Sequence, residues 1–470
     1  SRSTAAPSTR NMACKAQTSG TIYLRHGPRT ELHEIIRQEY ARHQDRAAPH
    51  NTLRQAVQGM LDTFAYQNYD AAAGEYTNRC CRPPRETEMR PWRLVTEIGW
   101  TGGGVLAYPL VLCRDALGAD AEAPLAAAMS GEQLFDRIAD AYNENSGLLN
   151  DLMAPNAAGS QVNGWWTGYG LVKDCHCAYT VGSAVHYLTK TMDYLHQNGK
   201  PCPAKWMDAA QKVLHTVMDL QRADGAFGYT YSTQERKVLD WSGFAGCWFA
   251  PALVYLYRLT GEERCLHSAE KALDYYHTFV KDLNCYGTPM DTWKAVDEEG
   301  NLAFMRGSRL LYEQTGKAEF LQYMKDSAGY EFLWRYGYKT YPEHTPLNQG
   351  WSACGGAVTS VSNPHIHPMG VIIDTDLRYL ARVTGDGYYA SRAADSAAWM
   401  LQCLELYPAA TGYGRYGILS ERWCPSDGLD VERFSDGRPF SSWFSHNLWA
   451  SACVLEAACE LLLEIEHKKG

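Results

Sequence analysis

FAGCWFAPALVYLYRL, residues 244–259, is followed by Thr260-Gly261-Glu262 and then by ERCLHSAEKALDYYHTFVK, residues 263–281. In both stretches apolar residues recur at i, i+3, i+4 and i+7, the spacing that gathers them on one face of a helix. They predict helices over 243–259 and 263–281. Gly261 supplies the left-handed residue that ends a helix, so the two segments read as a tight antiparallel hairpin.

The same punctuation recurs along the chain. A helix over 301–314 stops at Thr315-Gly316 before 317–335, and one over 369–383 stops at Thr384-Gly385 before 387–406. A helix over 175–197 stops near Asn198-Gly199 before 204–221, and one over 92–116 stops near Gly118 before 131–145. A helix over 51–69 precedes the series, 31–45 reads as an additional N-terminal helix, and 442–466 comes last. The return connections are long instead, spanning roughly 70–91, 146–174, 222–242, 282–300, 336–368 and 407–441. Short and long connections thus alternate through six hairpins, a helical repeat.

Helices after long loops are more apolar, as an inner ring requires, and those after short loops carry charge on one face. An open solenoid needs polar caps. The last helix, SSWFSHNLWASACVLEAACELLLEI (441–465), is too apolar for that role. The expected fold is therefore all-α, an (α/α)6 toroid over residues 31–470 with long loops at one mouth. Residues 1–30 read as a polar arm, or the stub of a preceding segment. All six long loops precede the N-termini of inner helices. Such loops are uncommon unless functional, and those N-termini favour anionic ligands.

Composition narrows the function. A formal charge of -9 argues against nucleic acid as the main partner. No run reaches the eighteen or so apolar residues of a membrane span. The 14 Trp and 30 Tyr offer flat faces for sugar rings. The 15 Cys show no regular framework and fit reduced thiols in a cytoplasm, unless a missing N-terminal segment carries a signal. The polar arm leaves a homo-oligomer possible.

The chain resembles the (α/α)6 carbohydrate-active enzymes: glucuronyl and other glycoside hydrolases, some polysaccharide lyases, and sugar epimerases. The resemblance covers most of residues 50–466 and is carried by the hairpin rhythm and by three loops. These are NGWWTGYG (163–170), QRADGAFGYTYS (221–232) and YGRYGILSERWCPSDG (413–428). It implies a carbohydrate substrate. The site residues are read from the loops themselves.

Glycoside hydrolysis needs two carboxylates flanking the scissile bond. By position the candidates are Glu97, Asp240, Asp291, Asp374, Asp376, Glu421 and Asp427; the alternative role for each is a helix cap or a salt bridge. Glu421 leads, in the longest aromatic-rich loop and flanked by Arg415, Arg422 and Trp423. Asp240, beside Trp241 and just before an inner helix, is the preferred partner. In SNPHIHPMG (362–370), His365 and His367 are placed as a base or a carboxylate-binding pair. The alternatives there are hydrogen bonds to loop carbonyls, or a metal site with no identifiable third ligand. Cys175-His176-Cys177 lacks zinc-site spacing and is read on a helix, where i and i+2 point apart. Candidate binding residues are Trp165, Trp166, Tyr229, Tyr231, Trp241, Asn363, Arg415, Arg422 and Trp423. Arg85, Arg90, Arg93, Arg415, Arg422 and Arg433 in the mouth loops suit an acidic sugar, because Arg grips carboxylates with two parallel bonds.

No phosphate loop, nucleophile elbow or dinucleotide fingerprint is present, so no cofactor is expected. The leading expectation is a glycoside hydrolase acting on a uronic-acid glycoside. A lyase using Asn363, His365, Tyr229 or Tyr231 is the alternative, followed by a non-catalytic sugar-binding toroid.

Overall fold

The structure is a computed structural model that describes residues 32–43, 45–70, 75–76, 78–80, 90–93, 96–99, 103–118, 122–150, 152–153, 161–162, 175–288, 294–340, 351–362, 364–406, 417, 419–423 and 448–467. After α1 (Leu32–Tyr40), the helices fall into inner and outer members. The inner ones are α3 (Gly104–Leu117), α5 (Ala178–Gln197), α7 (Phe249–Thr260), α9 (Glu299–Thr315), α11 (Asp374–Thr384) and α13 (Leu448–His467). The outer ones are α2 (Leu53–Thr63), α4 (Glu122–Asp140), α6 (Ala204–Asp219), α8 (Glu263–Lys281), α10 (Ala318–Trp334) and α12 (Gly387–Cys403).

Inner helices pack in chain order, α3 on α5, α5 on α7 and α7 on α9. Next, α9 packs on α11 and on the 3-10 turn Pro368–Ile373 that leads into it, and that turn packs on α13. Finally α13 returns to α3 and closes the ring. The outer helices α4, α8, α10 and α12 each lie against the inner helix of their own hairpin, while α2 lies against α13.

Composition explains which helix goes where. Nearly every residue of α5 is buried, from Ala178 through Asp193. In α6 only one stripe is buried, with Trp206, Ala209, Ala210, Val213, Leu214 and Val217 at the i, i+3, i+4 spacing. Gly261 caps α7 in the left-handed conformation at φ 72°, and Gly316 and Gly385 do the same for α9 and α11.

Small antiparallel strands pin the mouth loops. Cys175–Cys177 runs directly into α5 and pairs with Thr230–Ser232, which pairs in turn with Val238–Asp240. The Ala178 N–H, at the start of α5, donates to the Tyr229 carbonyl at 3.0 Å. Ile366–His367 pairs with Ala357–Val358 and exchanges two 2.8 Å backbone bonds with Trp423.

Several boundaries differ from the sequence reading. Residues 90–93 and 96–97 are extended, paired with 78–80 and 152–153, so α3 starts only at Gly104. Pro91 in that stretch has no N–H for a helix. Helix α4 begins at Glu122 instead of 131; Pro124 falls in its first turn, where a missing N–H costs nothing. Cys175-His176-Cys177 is a strand, not the opening of a helix, and His176 Nε2 lies 2.9 Å from Ser146 Oγ. Among the described residues no helix is long and apolar enough to cross a membrane.

Candidate functional site

Three consecutive acids, Asp297-Glu298-Glu299, sit where α9 begins at the mouth. The Asp297 carboxylate accepts from the Thr288 N–H at 3.0 Å and the Gly300 N–H at 3.2 Å, which fixes the turn into the helix. Glu298 and Glu331 are fully buried side by side over Arg335. Arg335 donates to Glu331 Oε1 at 2.7 and 3.0 Å, to Asp374 Oδ1 at 2.9 Å and to the Gly370 carbonyl at 2.7 Å. One guanidinium thus faces three carboxyl groups. Burial, and then the neighbouring Glu331, push the Glu298 carboxyl well above its usual range.

Glu299 occupies the next position. Its carboxyl is pushed up to about 7 by burial, with a hydrogen bond from Tyr179 pulling the other way. Its Oε1 lies 3.6 Å from His367 Nε2. His367 Nδ1 accepts from the Met369 N–H at 3.0 Å. A backbone N–H can only donate, so a neutral His367 carries its proton on Nε2, the nitrogen facing Glu299.

The ring of His367 meets Trp449 edge-on at 5.6 Å, and Trp449 lies in the first turn of α13. Trp449 Nε1–H donates to Glu421 Oε2 at 3.1 Å, and Arg422 Nε–H donates to Glu421 Oε1 at 3.2 Å. Across the ring the Tyr179 hydroxyl, on α5, lies 3.7 Å from Met369 Sδ. The Tyr179 ring stands edge-on to Trp248, just ahead of α7, at 6.0 Å. Residues at the starts of inner helices are therefore linked by a chain of contacts that runs from Tyr179 and Glu299 through His367 and Trp449 to Glu421.

Of the residues expected from sequence, Glu421, Arg422 and His367 come together here. His365 is half-buried two residues away, held well below the usual imidazole range by burial and then by the Arg422 charge. Asp240 is engaged elsewhere, accepting from Lys294 Nζ at 2.6 Å and from the Ser242 N–H at 2.8 Å. Lys294 also lies 4.6 Å from the buried Tyr229 ring, and Arg222 stacks over Trp241 at 5.2 Å. Tyr231 is a core residue whose hydroxyl accepts from the Gly228 N–H at 2.8 Å. Trp423 is likewise fully buried, stacked on Trp351 at 6.2 Å, which leaves no face for a sugar.

Asp374 and Asp376 are buried in ion pairs, Asp374 with Arg335 and Asp376 with Arg306 and Arg309. Glu97 lies in a short strand paired with Leu152, and its side chain is outside the described residues. Trp165, Trp166, Asp291, Asn363, Arg415, Asp427, Arg85 and Arg433 also lie outside them. No group of three or more His, Cys, Asp or Glu among the described residues could hold a metal ion.

Glu298, Glu299, Tyr179 and Trp449 escaped the sequence reading. The available signal was the run of three acids immediately ahead of an inner helix. It was hidden by starting that helix at residue 301 and leaving the acids to the loop.

No protein-family model and no curated protein matches the chain. Solved structures do. A family 76 glycoside hydrolase (mannosidase) from Bacteroides thetaiotaomicron aligns with a TM-score of 0.56 at 14% identity, over 88% of this chain and 99% of that one. A cellobiose 2-epimerase from Spirochaeta thermophila gives 0.56 at 13% identity, over 94% and 99%. An unsaturated glucuronyl hydrolase specific for heparin gives 0.52 at 11% identity, over 88% and 98%. The chain is an (α/α)6 toroid. The acid-rich centre described above lies at the toroid mouth where its inner helices begin.

Proposed function

We propose that this toroid is a carbohydrate-active enzyme, a glycoside hydrolase for a uronic-acid glycoside. Glu299 is its proton donor and Glu421 its second carboxylate. The observation that carries the reading is the contact chain from the buried Glu299 through His367 and Trp449 to Glu421, with burial pushing the Glu299 carboxyl up to about 7. A glycosidase acid must still hold its proton near neutral pH, and burial is the usual way to achieve that. Trp449 and Arg422 fix the orientation of the Glu421 carboxylate for attack on the sugar or on water. His367, proton on Nε2, offers a donor beside the acid. Arg422 adds positive charge, which supports an acidic substrate. Trp165, Trp166, Trp241, Asn363 and Arg415 are proposed to bind the rest of the substrate. The solved structures of this fold include, by their descriptions, a mannosidase and a glucuronyl hydrolase, in keeping with the class.

His365 favours a second reading. Its depressed pKa keeps the imidazole neutral, as a base for proton abstraction must be. That would suit a lyase or an epimerase, and an epimerase shares the fold.

The test is a panel of chromogenic glycosides, glucuronide and mannoside included, offered to wild type and to Glu421→Gln. Release of the glucuronide by wild type, reduced about 1,000-fold or more in the variant, is expected. Ultraviolet absorbance growing on a uronate polymer, with no release from any glycoside, would transfer the assignment to His365 and elimination.

A further inference from the structure

The end of the toroid opposite the mouth holds a well of about 340 Å³, lined by side chains from all six inner helices. Tyr108 comes from α3, Lys190 from α5, Arg258 from α7, Arg309 from α9, Arg382 from α11 and Glu460 from α13. Helix C-termini face this end and carry partial negative charge, which disfavours anions. The wall carries five cationic groups and four acids, with Asp376 and Glu456 behind it paired to Arg306, Arg309 and Lys190.

Most of these cations are already paired, and Arg382 stands apart from them. Glu460 Oε1 lies 2.7 Å from Lys190 Nζ and also accepts from Tyr108, while its Oε2 accepts from Thr375 at 2.9 Å. Arg306 engages Asp376 through Nε and the Ile372 carbonyl through Nη2; Arg309 uses Nε for Glu313 and Nη1 for Asp376. An arginine has five N–H donors, so both keep donors in hand. Arg382 forms no ion pair among the described residues and lies 5.0 Å from the Tyr379 ring, which Arg309 also faces at 4.7 Å. Two guanidinium groups are thus gathered on one phenol ring at the wall of the well, with donors to spare.

We propose that this axial well is a second ligand site, separate from the mouth. It takes a molecule of monosaccharide size that bears an oxyanion, a carboxylate or a phosphate, with Arg382 and Arg309 as its grip. Tyr108, Tyr194, Tyr255 and Tyr379 also line the well. The site does not depend on the reaction assigned to the mouth.

Calorimetric titrations with glucuronate, inorganic phosphate and glucose test it, in wild type, Arg382→Gln, Arg382→Lys and Glu299→Gln. Arg382 is exposed, so its replacement leaves the fold intact. Glucuronate or phosphate is expected to bind wild type about tenfold or more tightly than glucose, and more weakly as salt rises. The Arg382→Gln variant should weaken that binding about tenfold, Arg382→Lys should retain part of it, and Glu299→Gln should leave it unchanged. Arg382-dependent binding of glucuronate alone would identify a sugar acid, and of phosphate alone a phosphorylated ligand. The proposal is overturned if neither oxyanion binds, if glucose binds equally well, or if affinity survives in Arg382→Gln but falls in Glu299→Gln.

Discussion

A carboxyl group raised to about 7 is protonated on the acid side of neutrality and ionised on the other, so Glu299 sets a pH limit on any reaction that needs its proton. The turnover number should fall about tenfold per pH unit above 7, and Glu299→Gln should abolish that limb of the profile. The same shift acts on stability. Between the ordinary glutamate value and 7 the folded chain holds a proton that the unfolded chain has released, so stability is lost as pH rises through that window. Asp374, also raised to about 7 by burial, adds in the same direction. Melting temperature should therefore decline between about pH 5 and 8, less steeply in Glu299→Gln. Sequence drew attention to Glu421 through its aromatic, arginine-flanked loop and to His367 through its place between two prolines just ahead of an inner helix. It gave no sign that Lys294, more than fifty residues on, pairs with the Asp240 carboxylate, because that contact is made only by the fold.

At the scale of elements, the hairpins were legible because Thr-Gly is a strong local stop signal. The short mouth strands were not, because pairs such as Cys175–Cys177 with Thr230–Ser232 join residues distant in sequence. Two glycines show how local and tertiary demands differ. Gly261 caps α7 in open space, so Gly261→Ala meets only the left-handed backbone penalty, about 1–2 kcal/mol. Gly225 has φ 96° and rests against the α8 backbone, where an added Cβ would run into the Lys271 carbonyl. Gly225→Ala should cost at least twice as much as Gly261→Ala, measured by chemical denaturation.

Over the whole molecule, ring closure was legible from the apolar last helix, but the charged groups that tie the ring together were not. Lys190 on α5 reaches past α3 to Glu456 and Glu460 on α13, at 2.5 and 2.7 Å, with Glu456 almost fully buried. A helix-face reading assigns such residues to solvent; only the closed geometry brings them together. Lys190→Ala would strand two acids in the interior and should cost about 3–5 kcal/mol, whereas Lys190→Met with Glu456→Gln should recover much of that loss. Equilibrium unfolding of the single and double variants measures both values.

The decisive measurement compares kcat/KM of wild type and Glu299→Gln on two glycosides of the same sugar, one with a dinitrophenolate leaving group and one with methanol. A proton donor matters only where the leaving group needs the proton. Glu299→Gln should lose about 100-fold or more on the methyl glycoside and stay near wild type on the dinitrophenyl one. Equal losses on both substrates, or none on either, would contradict Glu299 as the acid of a hydrolase at the toroid mouth.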